Sequence, residues 1–448
     1  MSDTANMPHK PSSLRRKVKV LMDMGYRISG AALQVLTTAV VAKALPAEQA
    51  GKYFLGFTIA MVLSVSLRAG FDQSLTRFCS GLLANNDARG AGAVANYFLS
   101  RFVKRAALFL MSAALIGGPL LLIPSMASWF DFRLGIQVLP FLASVPLLGV
   151  GALAGCFFQA AGKSLSSVTL MFYVTNFSVI ASALLLPSEM RSDLALSAAF
   201  FAAALLTGMA GFLVLRRQRR SPGFTAPNAS TRTALDASAS ENAVTVICNL
   251  ALLWGPLLLL GAFSSSVEAA QYNVASRIAQ VVAFVLPALN FAAAPRFAAL
   301  RATGRASELQ KALLLSVGAS TLLSSLVAIP MILGADSVMG LMGEAYAGSS
   351  SVLTLLIIAQ WINGGSGPVI QFLSMVGLEK TLRKFFVVSG VLVLVLGITL
   401  SREYGANGAA IASLTSLLIL NILCLGASFS EARRLARNPQ TNQLPSGH

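Results

Sequence analysis

Apolar residues run along this chain in blocks of about twenty, and each block ends at glycine, proline or charge. Coiled as helix, a block of that length crosses the hydrocarbon of a bilayer. The blocks predict twelve helices, near 25–45, 51–73, 103–124, 134–160, 165–187, 193–215, 242–263, 271–293, 310–334, 348–376, 382–400 and 406–428. The longest polar interruption, Arg216–Glu241, is basic at first and then rich in Ser, Ala, Thr and Pro. It shows no apolar period and reads as a flexible linker. The pattern predicts an all-α integral membrane protein with a basic tail over 1–24, six helices over 25–215, a linker over 216–241, six helices over 242–428 and a second tail over 429–448.

Polar residues inside the apolar blocks carry the next layer of information. In Glu268–Phe297, Asn273, Ser276, Arg277 and Gln280 recur at i, i+3, i+4 and i+7 and share one helix face, before a sharp exit through Pro295. An arginine on such a stripe must meet protein or a water-filled cavity, or reach back to the interface. The stretch has an echo about 219 residues earlier: Lys52-Tyr53 falls on Gln271-Tyr272, and Thr76-Arg77-Phe78 on Pro295-Arg296-Phe297. The two halves share a plan.

Three further groups stand out. Arg68 and Asp72 are i, i+4 near the end of the second helix, where they could pair with each other or hold a phosphate. Asp23 and Arg27 repeat that spacing in the first helix, with Gln34 and Thr38 continuing the face as candidate cavity lining. Inside the tenth helix, Gly364, Gly365, Gly367 and Pro368 loosen the backbone, and Pro146 does so at the corresponding place in the fourth. Hinges and close packing at small residues are both open there.

Composition agrees with the pattern. The chain is 55% hydrophobic and 11% charged, with mean hydropathy +0.71, whereas soluble domains carry about 25% charge. The formal charge of +17 lies between apolar runs rather than on a soluble basic face, which argues against nucleic acid. Of 34 Lys and Arg, Lys43, Lys52, Arg133, Arg191 and Arg402 fall in loops on one side, and Arg68 and Arg277 fall inside helices. The rest gather on the other side, which predicts both termini in the cytoplasm of a multi-pass inner-membrane protein. Ala42-Lys43-Ala44 resembles a signal-peptidase site, but Gln34, Thr37 and Thr38 precede it and no cleavage is expected. Cys79, Cys156, Cys248 and Cys424 form no metal spacing, and His9 and His448 lie in the tails. No metal, no cofactor and no enzymatic centre is expected. Arg77, Arg101, Lys104, Arg105, Arg296 and Arg301 make a basic rim that suits anionic lipid headgroups.

A second internal repeat sets Phe157-Phe158-Gln159-Ala160-Ala161-Gly162-Lys163 on Phe372-Leu373-Ser374-Met375-Val376-Gly377-Leu378. With Ala44–Tyr53, Gln271–Arg277 and the opening Tyr404-Gly405-Ala406-Asn407-Gly408-Ala409-Ala410-Ile411-Ala412, the chain resembles the polysaccharide-transporter (Wzx-type oligosaccharide flippase) family of the multidrug/oligosaccharidyl-lipid/polysaccharide exporter superfamily. The resemblance implies two pseudo-symmetric six-helix bundles around a central cavity, rocking between inward-open and outward-open states. It implies undecaprenyl-pyrophosphate-linked oligosaccharide as cargo, and membrane lipids, a polysaccharide polymerase and a chain-length regulator as partners. Relatives often carry an acid in the seventh helix, where this sequence reads Asn249-Leu250-Ala251-Leu252-Leu253-Trp254-Gly255-Pro256, so the usual cation coupling is not expected. A multidrug/cation antiporter would need a deep carboxylate, and a membrane enzyme of polysaccharide assembly would need a large loop with acids or histidine. Neither feature is present. A flippase for another polyprenyl-linked glycan would usually bring helices beyond twelve.

Overall fold

The computed structural model describes residues 13–117, 123–126, 128, 134–219, 227–303 and 305–437. Among them are twelve long helical units and no strand. They are α1 (Ser13–Ala44), α2 (Ala47–Arg68, resuming as Phe71–Ala84), α3 (Ala88–Ser112) and α4 (Val138–Ala160). The first half closes with α5 (Ser164–Leu185) and α6 (Asp193–Arg219). The second half has α7 (Ala229–Phe263), α8 (Ser266–Ala279, then Val285–Ala302), α9 (Ala306–Leu333) and α10 (Ser350–Ser366, then Pro368–Met375). It ends with α11 (379–404) and α12 (406–437), which meet at Gly405. Eight helical stretches are long and apolar enough to cross a membrane by length and composition alone, the last of them holding both α11 and α12. Exposed leucines such as Leu108, Leu185, Leu326 and Leu333 cover the outside, as a lipid-facing surface requires. This is a multi-pass membrane protein.

The packing has the two-fold pattern that the internal repeats predict. Helix α2 packs on α4 as α8 packs on α10, and α1 on α8 as α7 on α2. The direct α2–α8 contact lies where the halves meet, and there a Cβ on Gly51 would fall 1.8 Å from the Ser266 carbonyl oxygen. Backbones this close tolerate no side chain. At the same end, Tyr53, Phe54 and Phe141 from one half and Tyr272, Val274 and Tyr346 from the other join one continuous core. At the basic end the core splits in two, around Phe71, Phe98 and Phe102 in the first half and Phe297, Phe372 and Leu313 in the second.

Several boundaries differ from the sequence expectation, each for a local reason. Helix α2 breaks at Ala69-Gly70, where both residues have positive φ (21° and 78°). A Cβ at Gly70 would sit 2.1 Å from the Ala239 carbonyl oxygen, so α7 presses directly on the break. Arg105 donates to the Leu67 carbonyl (3.2 Å) and lies over the Phe71 ring (4.2 Å), filling a bond that the broken helix leaves open. Pro295 does not end α8, which stays helical to Ala302. Instead a 3₁₀ turn, Gln280–Phe284, precedes Pro287, whose missing N–H cannot bond the fourth residue back.

The flexible linker needs the largest correction. Residues 220–226 lie outside the described residues, but from Ala229 the chain is helical and continuous with the rest of α7. Asn228 caps this start by accepting from the Thr231 N–H at 2.8 Å. Leu235 and Ala239, at i and i+4, bury into the first-half core. Asp236 accepts from Tyr97 (2.9 Å) and pairs with Arg101 (3.1 Å), and Ser238 meets Ser74 at 3.0 Å. One leucine among alanines and serines makes too faint an apolar period to see. The second tail is shortened likewise: α12 runs to Arg437, with Ala432 and Leu435 buried. His9, His448, Asp131 and Arg133 lie outside the described residues.

Candidate functional site

Ser265 N-caps helix α8: its Oγ accepts from the Glu268 N–H at 3.2 Å, and the Glu268 carboxylate accepts from the Ser264 hydroxyl. The Glu268 carboxylate also lies against Gly405, whose backbone (φ 54°, ψ −131°) only glycine adopts readily. These contacts fix where α8 starts and hence where its polar stripe falls. The stripe does not face a single cavity. Asn273 and Arg277 turn toward the first half, where they line a cleft with Gln34, Thr37, Thr38, Tyr53, Thr175 and Asn176. Ser276 and Gln280 line a separate cavity of about 220 Å³ within the second half.

Arg277 is 5% exposed, so it does not snorkel to the interface. Its guanidinium lies 4.4 Å over the Trp254 ring, and Nη1 donates to Gln280 Oε1 at 3.3 Å. Nη2 is buried with no hydrogen-bond partner among the described residues. No carboxylate pairs with it there; one ring and one amide hold the group in place. A buried cation so placed is poised to accept an anion.

Gln34 lines the Arg277 cleft and also a deeper cavity of about 90 Å³, bounded by Phe57, Ser64, Arg68, Thr175 and Asn176. It therefore bridges the two arginines. Arg68 is buried and its Nε lies 3.2 Å from Asp72 Oδ1 across the α2 break. That pair offsets part of its charge, whereas Arg277 keeps its own. Arg27 is exposed and joins none of these cavities, and neither it nor Asp23 forms an ion pair among the described residues.

The glycine run in α10 is a packed seam as well as a break. Pro368 cannot bond the Gly364 carbonyl; the Gly367 N–H reaches it at 3.4 Å, and the Ser320 hydroxyl of α9 donates to it as well. A Cβ at Gly364 would fall 2.7 Å from Ser324 Oγ, and one at Gly367 would fall 1.8 Å from the Leu286 side chain. Pro146 lies inside α4 without interrupting it, and Gly149 there is pressed by the Phe102 ring. Sequence reasoning missed Trp254, Asn176 and Gln360 as lining residues. Lone amides in apolar helices were a usable signal for the last two, but nothing in the sequence places Trp254 over an arginine.

Residues 17–301 match the family model described as polysaccharide biosynthesis protein. The chain belongs to this family. Among solved structures, its fold is similar to an inward-facing multidrug resistance MATE family transporter of the MOP superfamily (TM-score 0.73, 11% identity, covering 91% of this chain and 96% of that one). It is also similar to the lipid II flippase MurJ in an inward closed conformation (TM-score 0.71, 10% identity, 94% and 91% covered). A third likeness is to a point mutant of the Vibrio cholerae MATE transporter VcmN (TM-score 0.62, 16% identity, 93% and 97% covered). No curated protein matches the sequence. This polysaccharide biosynthesis protein thus has the twelve-helix fold of MOP-superfamily transporters.

Proposed function

We propose that the protein is a flippase that moves undecaprenyl-pyrophosphate-linked oligosaccharide across the bacterial inner membrane by alternating access, with both termini in the cytoplasm. The observation that carries this reading is Arg277, a buried cation in the cleft between the halves with Nη2 unpartnered and no acid beside it. A pyrophosphate supplies the missing negative charge and matches the guanidinium fork. Arg68 and Gln34 extend the polar path from that cleft toward the basic end. The family to which the chain belongs and a lipid-flippase neighbour support the same cargo class. A drug/cation antiporter fits less well, because no Asp or Glu lines any of the three cavities.

The test is export of surface polysaccharide in a strain lacking the protein, complemented with Arg277→Gln at matched membrane levels. The substituted protein is expected to insert normally and lose most export. Wild-type export from it would leave Arg277 a packing residue and remove the main support for an anionic cargo.

A further inference from the structure

The cavity in the second half differs in kind from the cleft that holds the arginines. Helices α7, α8, α10, α11 and α12 enclose about 220 Å³, against the roughly 15 Å³ that one water needs. Asn249, Gln280, Gln360 and Asn363 bring four carboxamides to its wall, and Tyr272, Ser276 and Ser413 bring three hydroxyls. Leucines, Ala279, Ala359, Ile370 and Phe386 line the remainder, and no Asp, Glu, Lys, Arg or His does.

The carboxamides are available. The Tyr272 and Ser413 hydroxyls bond each other at 2.8 Å, and Ser276 bonds the Asn273 carbonyl at 2.9 Å. Gln280 uses its oxygen for Arg277 and keeps its two N–H donors. Asn249, Gln360 and Asn363 have no side-chain hydrogen bond among the described residues; Asn249 is exposed, and Gln360 and Asn363 are half-buried without being buried orphans, so all three amides are open to a ligand. Amides offering both donors and acceptors around apolar patches suit a ligand with many hydroxyls and apolar ring faces. A carboxylate-bearing ligand would find no cation on this wall and would be desolvated without a partner.

We infer that this second-half cavity is the glycan subsite, that it takes an uncharged pyranose through Gln360, Asn363, Asn249 and Gln280, and that it discriminates against uronic acids. The inference deepens the flippase reading. Arg277 stands between the subsites, its free Nη2 for the anionic group and its Nη1 bonded to a glycan-side amide. One cargo would thus span both, phosphate on the arginine side and sugar on the amide side.

The experiment uses the full chain in lipid nanodiscs and calorimetric titration with three probes: a short prenyl β-glucoside, the matching prenyl β-glucuronide, and prenyl pyrophosphate. The glucoside is expected to bind, the glucuronide to bind at least about tenfold more weakly, and the near-isosteric pair Gln360→Met with Asn363→Leu to weaken the glucoside by roughly tenfold or more, the loss of two ordinary hydrogen bonds. Glutamine-to-asparagine and asparagine-to-glutamine swaps at the same positions should retain part of the binding, which separates lost amides from a misfolded cavity. Glucoside binding that is absent, insensitive to the pair, or matched by the glucuronide overturns the subsite. Prenyl pyrophosphate reports on the flippase reading alone: its failure to bind would sink that reading while a Gln360- and Asn363-dependent glucoside site would stand.

Discussion

Arg277 and Arg68 show how differently two buried cations can be handled in one protein. Arg68 has Asp72 at 3.2 Å, so removing Asp72 leaves an uncompensated buried charge on Arg68. Arg277 has an aromatic face and one amide, which hold the side chain without neutralising it. Arg277→Lys is therefore expected to keep a minor part of export, since charge survives but the planar fork and its stacking on Trp254 do not. The measurement is polysaccharide export beside the glutamine variant; equal loss in both would mean that charge alone contributes nothing. Asp72→Asn should instead act on stability, lowering the melting temperature of the purified protein by more than an exposed Asp87→Asn control does. An unchanged melting temperature would show that Arg68 does not depend on its partner. Arg277 was legible in the sequence because a charge in an apolar block is conspicuous. That its stripe divides between two cavities was not, since a period of 3.6 gives a face and not its neighbours.

At the scale of elements, the α10 break and the start of α7 carry opposite lessons. Three glycines before a proline announced a weak helix, but whether it bends or packs depends on α9, a separate part of the sequence. The Ser320 hydroxyl on the Gly364 carbonyl and the fit of Gly364 against Ser324 show a seam stabilised from α9. Ser320→Ala should cost about 0.5–1.5 kcal/mol, the net worth of one hydrogen bond, because the Gly367 N–H still reaches that carbonyl at 3.4 Å; thermal unfolding in detergent measures it. A neutral result would mean that the Gly367 N–H suffices for that carbonyl. Gly364, Gly365 and Gly367 changed together to alanine are expected to slow export while the protein still reaches the membrane. Full export at normal expression would leave the stretch without any role in motion. The first turns of α7 teach the converse. Asn228 was a readable cap, yet Leu235 and Ala239 could not be recognised as a buried face without α2 and α3 in view.

At the scale of the molecule, the twelve-helix plan and the two-fold repeat were legible because lipid permits few alternatives to long apolar helices. The unequal joining of the halves was not. The α7 start holds α2 and α3 at the basic end through Ser74, Ser238 and Asp236, while close packing of α1 on α8 is confined to Ser266–Ala279. A Ser74→Cys, Ser238→Cys pair should oxidise readily, given hydroxyls 3.0 Å apart. If this flank must part during the cycle, the oxidised protein will not export and reductant will restore it. Undiminished export by the oxidised form would place the motion on the α1–α8 flank alone.

The single core at one end and the divided core at the other make the two access states unequal before any cargo arrives. Opening the far end would bare Tyr53, Phe54, Phe141 and Tyr272, which now exclude water together. A few hundred Å² of such surface amounts to several kcal/mol, at roughly 25 cal/mol per Å². If the halves rock, the empty protein is expected to favour the state that is open at its basic end. The bias sets a condition on the cargo rather than a direction: whatever is bound must itself lower the cost of parting the seam, and the empty return runs downhill.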